Sequence, residues 1–163
     1  MSKDLLLEIG TEEVPAHVMP RMLSDLARLA EALFKERRIA YESLRTIGTP
    51  RRTALLVTGL AERQEDVSTE TRGPSVSIAF DAEGNPTKAG AGFARGQGID
   101  PSALIQRDGY VYASVHEKGA ETAALLTELL PELIRTLPLP NSMRWGDLDF
   151  RFIRPIRWIV ALY

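Results

Sequence analysis

Asn141–Tyr163, NSMRWGDLDFRFIRPIRWIVALY, decides how the rest of the chain is read. It sets Arg144, Arg151, Arg154 and Arg157 among Trp145, Phe150, Phe152, Trp158 and Tyr163, and it holds both tryptophans of the chain. It ends in an apolar run, Trp158 to Tyr163, without a turn, cap or polar tail, and Ile156–Tyr163 reads as a buried strand. A buried strand needs a neighbour on each side, so the chain is expected to be the front piece of a longer protein. Arginine beside planar rings can stack on them and also make forked hydrogen bonds to phosphate or carboxylate. In an extended Arg154–Trp158 segment, alternation places Arg154, Ile156 and Trp158 on one face and Pro155 and Arg157 on the other.

Working outward, 163 residues make one large domain or two small lobes. A chain of this length buries roughly two-thirds of its unfolded surface. The net charge of -2 announces no global affinity for nucleic acid, although a local basic face is compatible with it. With no cysteine, disulfides, thiolate zinc sites and cysteine nucleophiles are excluded together, which fits a cytoplasmic location. The N-terminal MSKDLLLEIGTEEV is too acidic and its apolar run too short for a signal peptide. No segment is long and apolar enough to span a bilayer, so no membrane association is expected.

Asp4 to Gly10 reads as a strand, and Glu12-Glu13-Val14-Pro15 as the opening of a helix, where acids suit the positive end of the dipole. Met22, Leu26, Leu29 and Leu33 recur at spacings of four and three, the stripe of an amphipathic helix reaching about Arg38. Pro20 inside that pattern predicts a separate or bent first turn. Tyr41–Ile47 and Thr53–Leu60 are predicted strands joined through Gly48-Thr49-Pro50. Ala61–Thr71 is charged and reads as exposed, and Arg72-Gly73-Pro74 as a tight turn opening a second lobe. Val76–Phe80 reads as a short strand, and Asn85-Pro86 as a helix start. Asp108-Gly109 between apolar residues predicts a hairpin. Glu121–Leu137 is a second long helix with Leu125, Leu126, Leu129, Leu130, Leu133 and Ile134 on its apolar face, bent at Pro131. The predicted fold is α+β: two lobes of mixed or antiparallel sheet with flanking helices. Residues 1–71 with 138–163 form the first lobe and 72–137 the inserted one. The two terminal runs, both resembling central strands, are expected to pair.

Few residues offer chemistry. Glu12 and Glu13 are explained by capping and dipole roles more simply than by acid–base work. Glu8, among leucines, belongs on an exposed face or beside a buried arginine. His17 and His116 lack companions at ligand spacing, so no metal site is expected. Gly90-Ala91-Gly92-Phe93-Ala94-Arg95-Gly96 departs from GxGxxG, because its third glycine comes one position late. It matches GxGxxR, an ATP-binding pattern of class II aminoacyl-tRNA synthetases, but reads better as a small-residue helix under close packing. No nucleophile arrangement appears. Arg51, Arg52, Arg72, Arg144, Arg154 and Arg157 remain as candidates for contact with a phosphate backbone or a partner surface. Their bland alternative is solvation or salt-bridging.

These residues also carry a family pattern. Leu7-Glu8-Ile9-Gly10-Thr11-Glu12-Glu13-Val14-Pro15 resembles the N-terminal signature of the β subunit of bacterial, αβ-type glycyl-tRNA synthetase. The resemblance continues in order through Gly48-Thr49-Pro50-Arg51-Arg52, Arg72-Gly73-Pro74, Phe80-Asp81 with Gly84 and Pro86–Ala89, and Gly92–Gly96. It ends with Met143–Gly146 and Phe152-x-Arg154-Pro155-x-Arg157-Trp158. It implies a longer β subunit with no catalytic residue, metal or cofactor in this part, ATP and glycine being used by the α subunit. It implies the α subunit, glycine tRNA and the remainder of β as partners; the six arginines, singled out by their setting in the sequence and not by the family pattern, are the tRNA-binding candidates. The alternative is a structural connector with no RNA contact, its arginines paired with acids such as Glu8, Glu12 and Glu13.

Overall fold

The computed structural model describes residues 2–163. It is an α+β chain that divides into two compact units, Met1–Glu65 with Ala120–Tyr163, and Asp66–Gly119.

In the first unit, β1 (Ser2–Thr11), α1 (Met19–Glu36), β2 (Ser43–Thr49) and β3 (Arg52–Ala61) follow one another. The sheet order is β2-β3-β1-β9, where β9 is Ile156–Leu162, and all three pairings are antiparallel. The two terminal runs therefore do pair: Glu8 lies opposite Val160 and Gly10 opposite Trp158. Period-two alternation sends Leu5, Leu7 and Ile9 of β1 and Leu55 and Val57 of β3 to one face, where all five are buried. The buried stripe of α1, Met22, Leu26, Ala30 and Phe34, packs into the same core. Leu29 and Leu33 of the predicted stripe are only partly buried at its flank.

Helix α1 starts later than its sequence suggests. Pro20 falls in its first turn, where a missing N–H costs nothing, so it initiates the helix and does not bend it. No acid stands in that turn: Glu12 and Glu13 precede it, just beyond β1.

The second unit holds β4 (Val67–Ser75), a single helical turn α2 (Val76–Ala79), α3 (Lys88–Gly96), β5 (Ile105–Arg107) and β6 (Tyr110–Glu117). Its sheet runs β4-β6-β5. The Asp108-Gly109 hairpin forms as expected, both residues taking positive φ (53° and 77°). Three readings change. Arg72-Gly73-Pro74 is part of β4 and not a tight turn. Its ladder runs to Arg72–Tyr112 and resumes at Ser75–Tyr110, a bulge at the proline that has no N–H to donate. Val76–Phe80 is no strand: the Phe80 amide bonds the Val76 carbonyl (2.9 Å), and the turn buries Ala79 against α3. The cap of α3 is Thr87, whose hydroxyl accepts the Gly90 amide, and not Asn85.

Helix α4 (Thr122–Thr136), placed by its sequence in the inserted lobe, belongs to the first unit. Leu126, Leu129, Leu130, Leu133 and Ile134 are buried in the core that contains β1 and α1. Pro131 sits inside the single helix. A two-stranded ribbon follows, β7 (Met143–Arg144) with β8 (Arg151–Phe152), and leads into β9. Trp145 pins it, its indole N–H donating to the Phe152 carbonyl (3.0 Å).

Strand β9 departs from the buried central strand expected of it. It is an edge strand, with Trp158, Ile159 and Leu162 exposed. The Arg154–Trp158 alternation also fails. The register slips between Gly10–Trp158 and Thr11–Ile156, so Ile156 turns toward the helices while Trp158 lies against the opposite face of β1.

Candidate functional site

The end of β1 gathers two arginine-bearing motifs of the first unit, Arg51-Arg52 and Arg154–Arg157. The chain Thr11–Val14 leaves the sheet without a helix to receive it, so its backbone amides find partners in neighbouring loops. Thr11 donates to the Arg51 carbonyl (3.0 Å), Glu12 to Pro155 (3.1 Å) and Val14 to Pro50 (2.7 Å). These bonds fix the two acids next to the two arginine loops. Glu13 then pairs with Arg51 (3.7 Å) and Glu12 with Arg157 (3.5 Å). Arg154 donates to the Glu13 carbonyl (3.0 Å) and to that of Ile153 (2.9 Å).

One strand step back, Glu8 faces away from the leucine core. Its carboxylate takes the Trp158 indole N–H (2.9 Å) and pairs with Arg52 Nε (3.3 Å). The Arg52 guanidinium lies 6.0 Å from the Trp158 ring centre, the outer limit of a cation–π contact. The indole can lie so close because residue 10 is glycine. A Cβ there would fall 1.9–2.2 Å from the ring carbons. Glu8 is thus satisfied by an arginine that is itself exposed, and not by a buried one.

Four of the six candidate arginines, Arg51, Arg52, Arg154 and Arg157, therefore surround Glu8–Val14. Arg144 is elsewhere on the unit, paired with Asp149 (3.4 Å) on the β7–β8 ribbon. Arg72 belongs to the second unit, its guanidinium stacked on the Tyr110 ring at 3.6 Å. Arg151, an arginine of the same terminal stretch outside the six candidates, donates to the Ser142 carbonyl and closes the ribbon. The sequence also gave no sign of the Arg107–Glu70 pair (2.8 Å), whose guanidinium lies over Tyr112 at 4.4 Å. Only the β5–β6–β4 register brings those side chains together.

The cluster can neutralise and rigidify. Exposed pairs at these distances contribute about 0–1 kcal/mol each. The indole bond to the shielded Glu8 carboxylate is stronger, about 1.5–3 kcal/mol for a charged acceptor. Among the described residues no group of acids and histidines converges as metal ligands. His116 shares a hydrogen bond with Ser68 (2.7 Å). Gly90 of the glycine-rich segment is a packing residue, since a Cβ on it would lie 2.2 Å from the Ala79 carbonyl oxygen. Among the described residues no helix is long and apolar enough to cross a membrane.

A family model described as glycyl-tRNA synthetase beta subunit matches residues 5–163. The glycine–tRNA ligase beta subunit of Desulfitobacterium hafniense is 52% identical over 167 residues, which cover 100% of this chain and 24% of that protein. Those of Halothermothrix orenii and Citrifermentans bemidjiense are 48% and 52% identical, each again over 100% of this chain and 24% of the relative. The chain thus spans about a quarter of the length of the curated relatives it matches.

Proposed function

The chain belongs to the glycyl-tRNA synthetase beta subunit family, and from that premise we propose that it is a non-catalytic connector within a glycine–tRNA ligase. In this reading the assembled enzyme attaches glycine to its tRNA using ATP, in the cytoplasm. ATP and glycine are handled by the α subunit. This part of β supplies a rigid platform that docks α and the remainder of β. The observation that carries the reading is the closed pairing of Arg51, Arg52 and Arg157 with Glu13, Glu8 and Glu12. A phosphate would have to displace a carboxylate from each.

A second reading, direct contact with tRNA, draws support from the charge balance of the same cluster. Arg154 is a fourth cation against three acids, and the side chains of Arg51, Arg52 and Arg157 are 68%, 57% and 62% exposed. An exposed pair is weak enough for a phosphate to compete.

The triple variant Arg51→Ala, Arg52→Ala, Arg157→Ala in the full beta subunit separates the two. The connector reading expects a lower unfolding temperature and weaker association with α, with an unchanged salt dependence of tRNA binding. A salt slope shallower by about two to three units, with stability and α association intact, would overturn it in favour of phosphate contact.

A further inference from the structure

Strand β9 carries apolar side chains on both faces, and among the described residues only its edge toward β1 is occupied. Toward the helices it shows Ile159 and Ala161, and on the other face Trp158, Val160 and Leu162. Ile159 is 51% exposed and Leu162 59%. An edge strand normally discourages pairing with charges, prolines or a short length. Between Ile156 and Leu162 the only charge is Arg157, and the strand is as long as β2. A run apolar on both faces is the signature of an interior strand.

Beside this edge lies an open groove of about 710 Å³. Its floor and walls are Leu7 of β1, Ile159 and Ala161 of β9, and Leu126, Leu130 and Ile134 of α4. The backbone edge and the groove adjoin, so one extended segment could satisfy both. Its amides and carbonyls would pair with β9 about 4.8 Å away, and every second side chain would enter the groove. A helix could fill the groove but would leave the β9 backbone groups unpaired.

We propose that a strand from the part of the longer beta subunit outside these 163 residues adds to the free edge of β9 and roofs this groove. The relatives hold about three-quarters of their length outside the matched region, all of it on the same polypeptide. A tethered segment acts at a high effective concentration and outcompetes a free partner. Two-faced hydrophobicity also favours a permanent cover over a transient one. The added strand is apolar at alternate positions for at least three residues, and the sheet becomes five-stranded with β9 interior.

The test uses the full beta subunit alone, without α or tRNA, so its outcome is independent of the role of the arginines. In the variant Ile159→p-benzoylphenylalanine, irradiation followed by proteolysis and mass spectrometry is expected to join position 159 to a peptide of the same polypeptide outside residues 1–163. In the unaltered subunit, hydrogen exchange is expected to show all β9 amides slow, including the alternate ones that do not pair with β1. A crosslink to a second copy or within residues 1–163 overturns the proposal. So does rapid exchange of the alternate β9 amides, which reads the edge directly even if the variant misfolds.

Discussion

Glu8, Gly10 and Trp158 form a unit in which each residue type is required by the others. The indole needs an acceptor, the carboxylate needs a cation or donors, and the flat approach needs a missing Cβ. Replacing Glu8 by Ala removes the acceptor and the Arg52 pair together. An expected loss of about 1–3 kcal/mol follows, with a shift of the Trp158 indole N–H resonance. Glu8→Gln keeps an acceptor for the indole and falls between wild type and Ala. Unchanged stability and an unmoved indole signal in Glu8→Ala would show that the hydrogen bond contributes nothing. Glu8 was legible as an anomaly, a carboxylate among leucines; that its partners were Arg52 and Trp158 was not.

At the scale of elements, helices and strands follow local pattern where burial agrees with it and depart where packing intervenes. The Asp108-Gly109 hairpin obeys its two turn residues alone. Val76–Ala79, β-branched and predicted extended, closes instead into a turn. The loop after α2 is organised by Asp81. Its carboxylate accepts the amides of Asn85 (2.7 Å) and Glu83 (3.0 Å). These bonds, that of Asn85 foremost, hold the Asp81 pKa below its ordinary value and together outweigh the opposing desolvation. A folded pKa lower than the unfolded one stabilises the loop above the unfolded value of about 3.9. That contribution is lost as pH falls through the folded pKa. Acid titration followed by NMR is therefore expected to move the Asn85 and Glu83 amide signals with a midpoint below about 3.9. A midpoint at or above that value would contradict the turn.

For the whole molecule, the division at Glu65–Asp66 and Gly119–Ala120 is the organising fact. The first unit closes its own seam. Gln64 and Ala120 exchange two hydrogen bonds of 3.0 Å, and the Thr122 amide bonds the Glu62 carbonyl (2.8 Å). Excising Asp66–Gly119 with a short Gly-Ser bridge is therefore expected to leave a cooperatively unfolding first unit. Circular dichroism with thermal denaturation checks it. A non-cooperative melt would show that the first unit depends on the second.

The sequence by itself determined what depends on neighbours a few positions apart: the strands β1 and β3, the amphipathic character of α1 with Met22 and Leu26 on its buried side, the apolar face of α4 and the Asp-Gly hairpin. It also carried the ordered motifs by which the family is known, because such motifs are strings of residues. Tertiary structure alone decided how those strings meet. Trp158 reaches Glu8 across 150 positions and Arg154 reaches Glu13 across 141. No local rule connects residues so far apart. The slip that turns Ile156 from the face of Trp158, the place of α4 in the first unit and the open edge of β9 arise in the same way. Local sterics set the conformation of each segment, whereas pairing, charge neutralisation and burial depend on which segments the closed sheet places side by side.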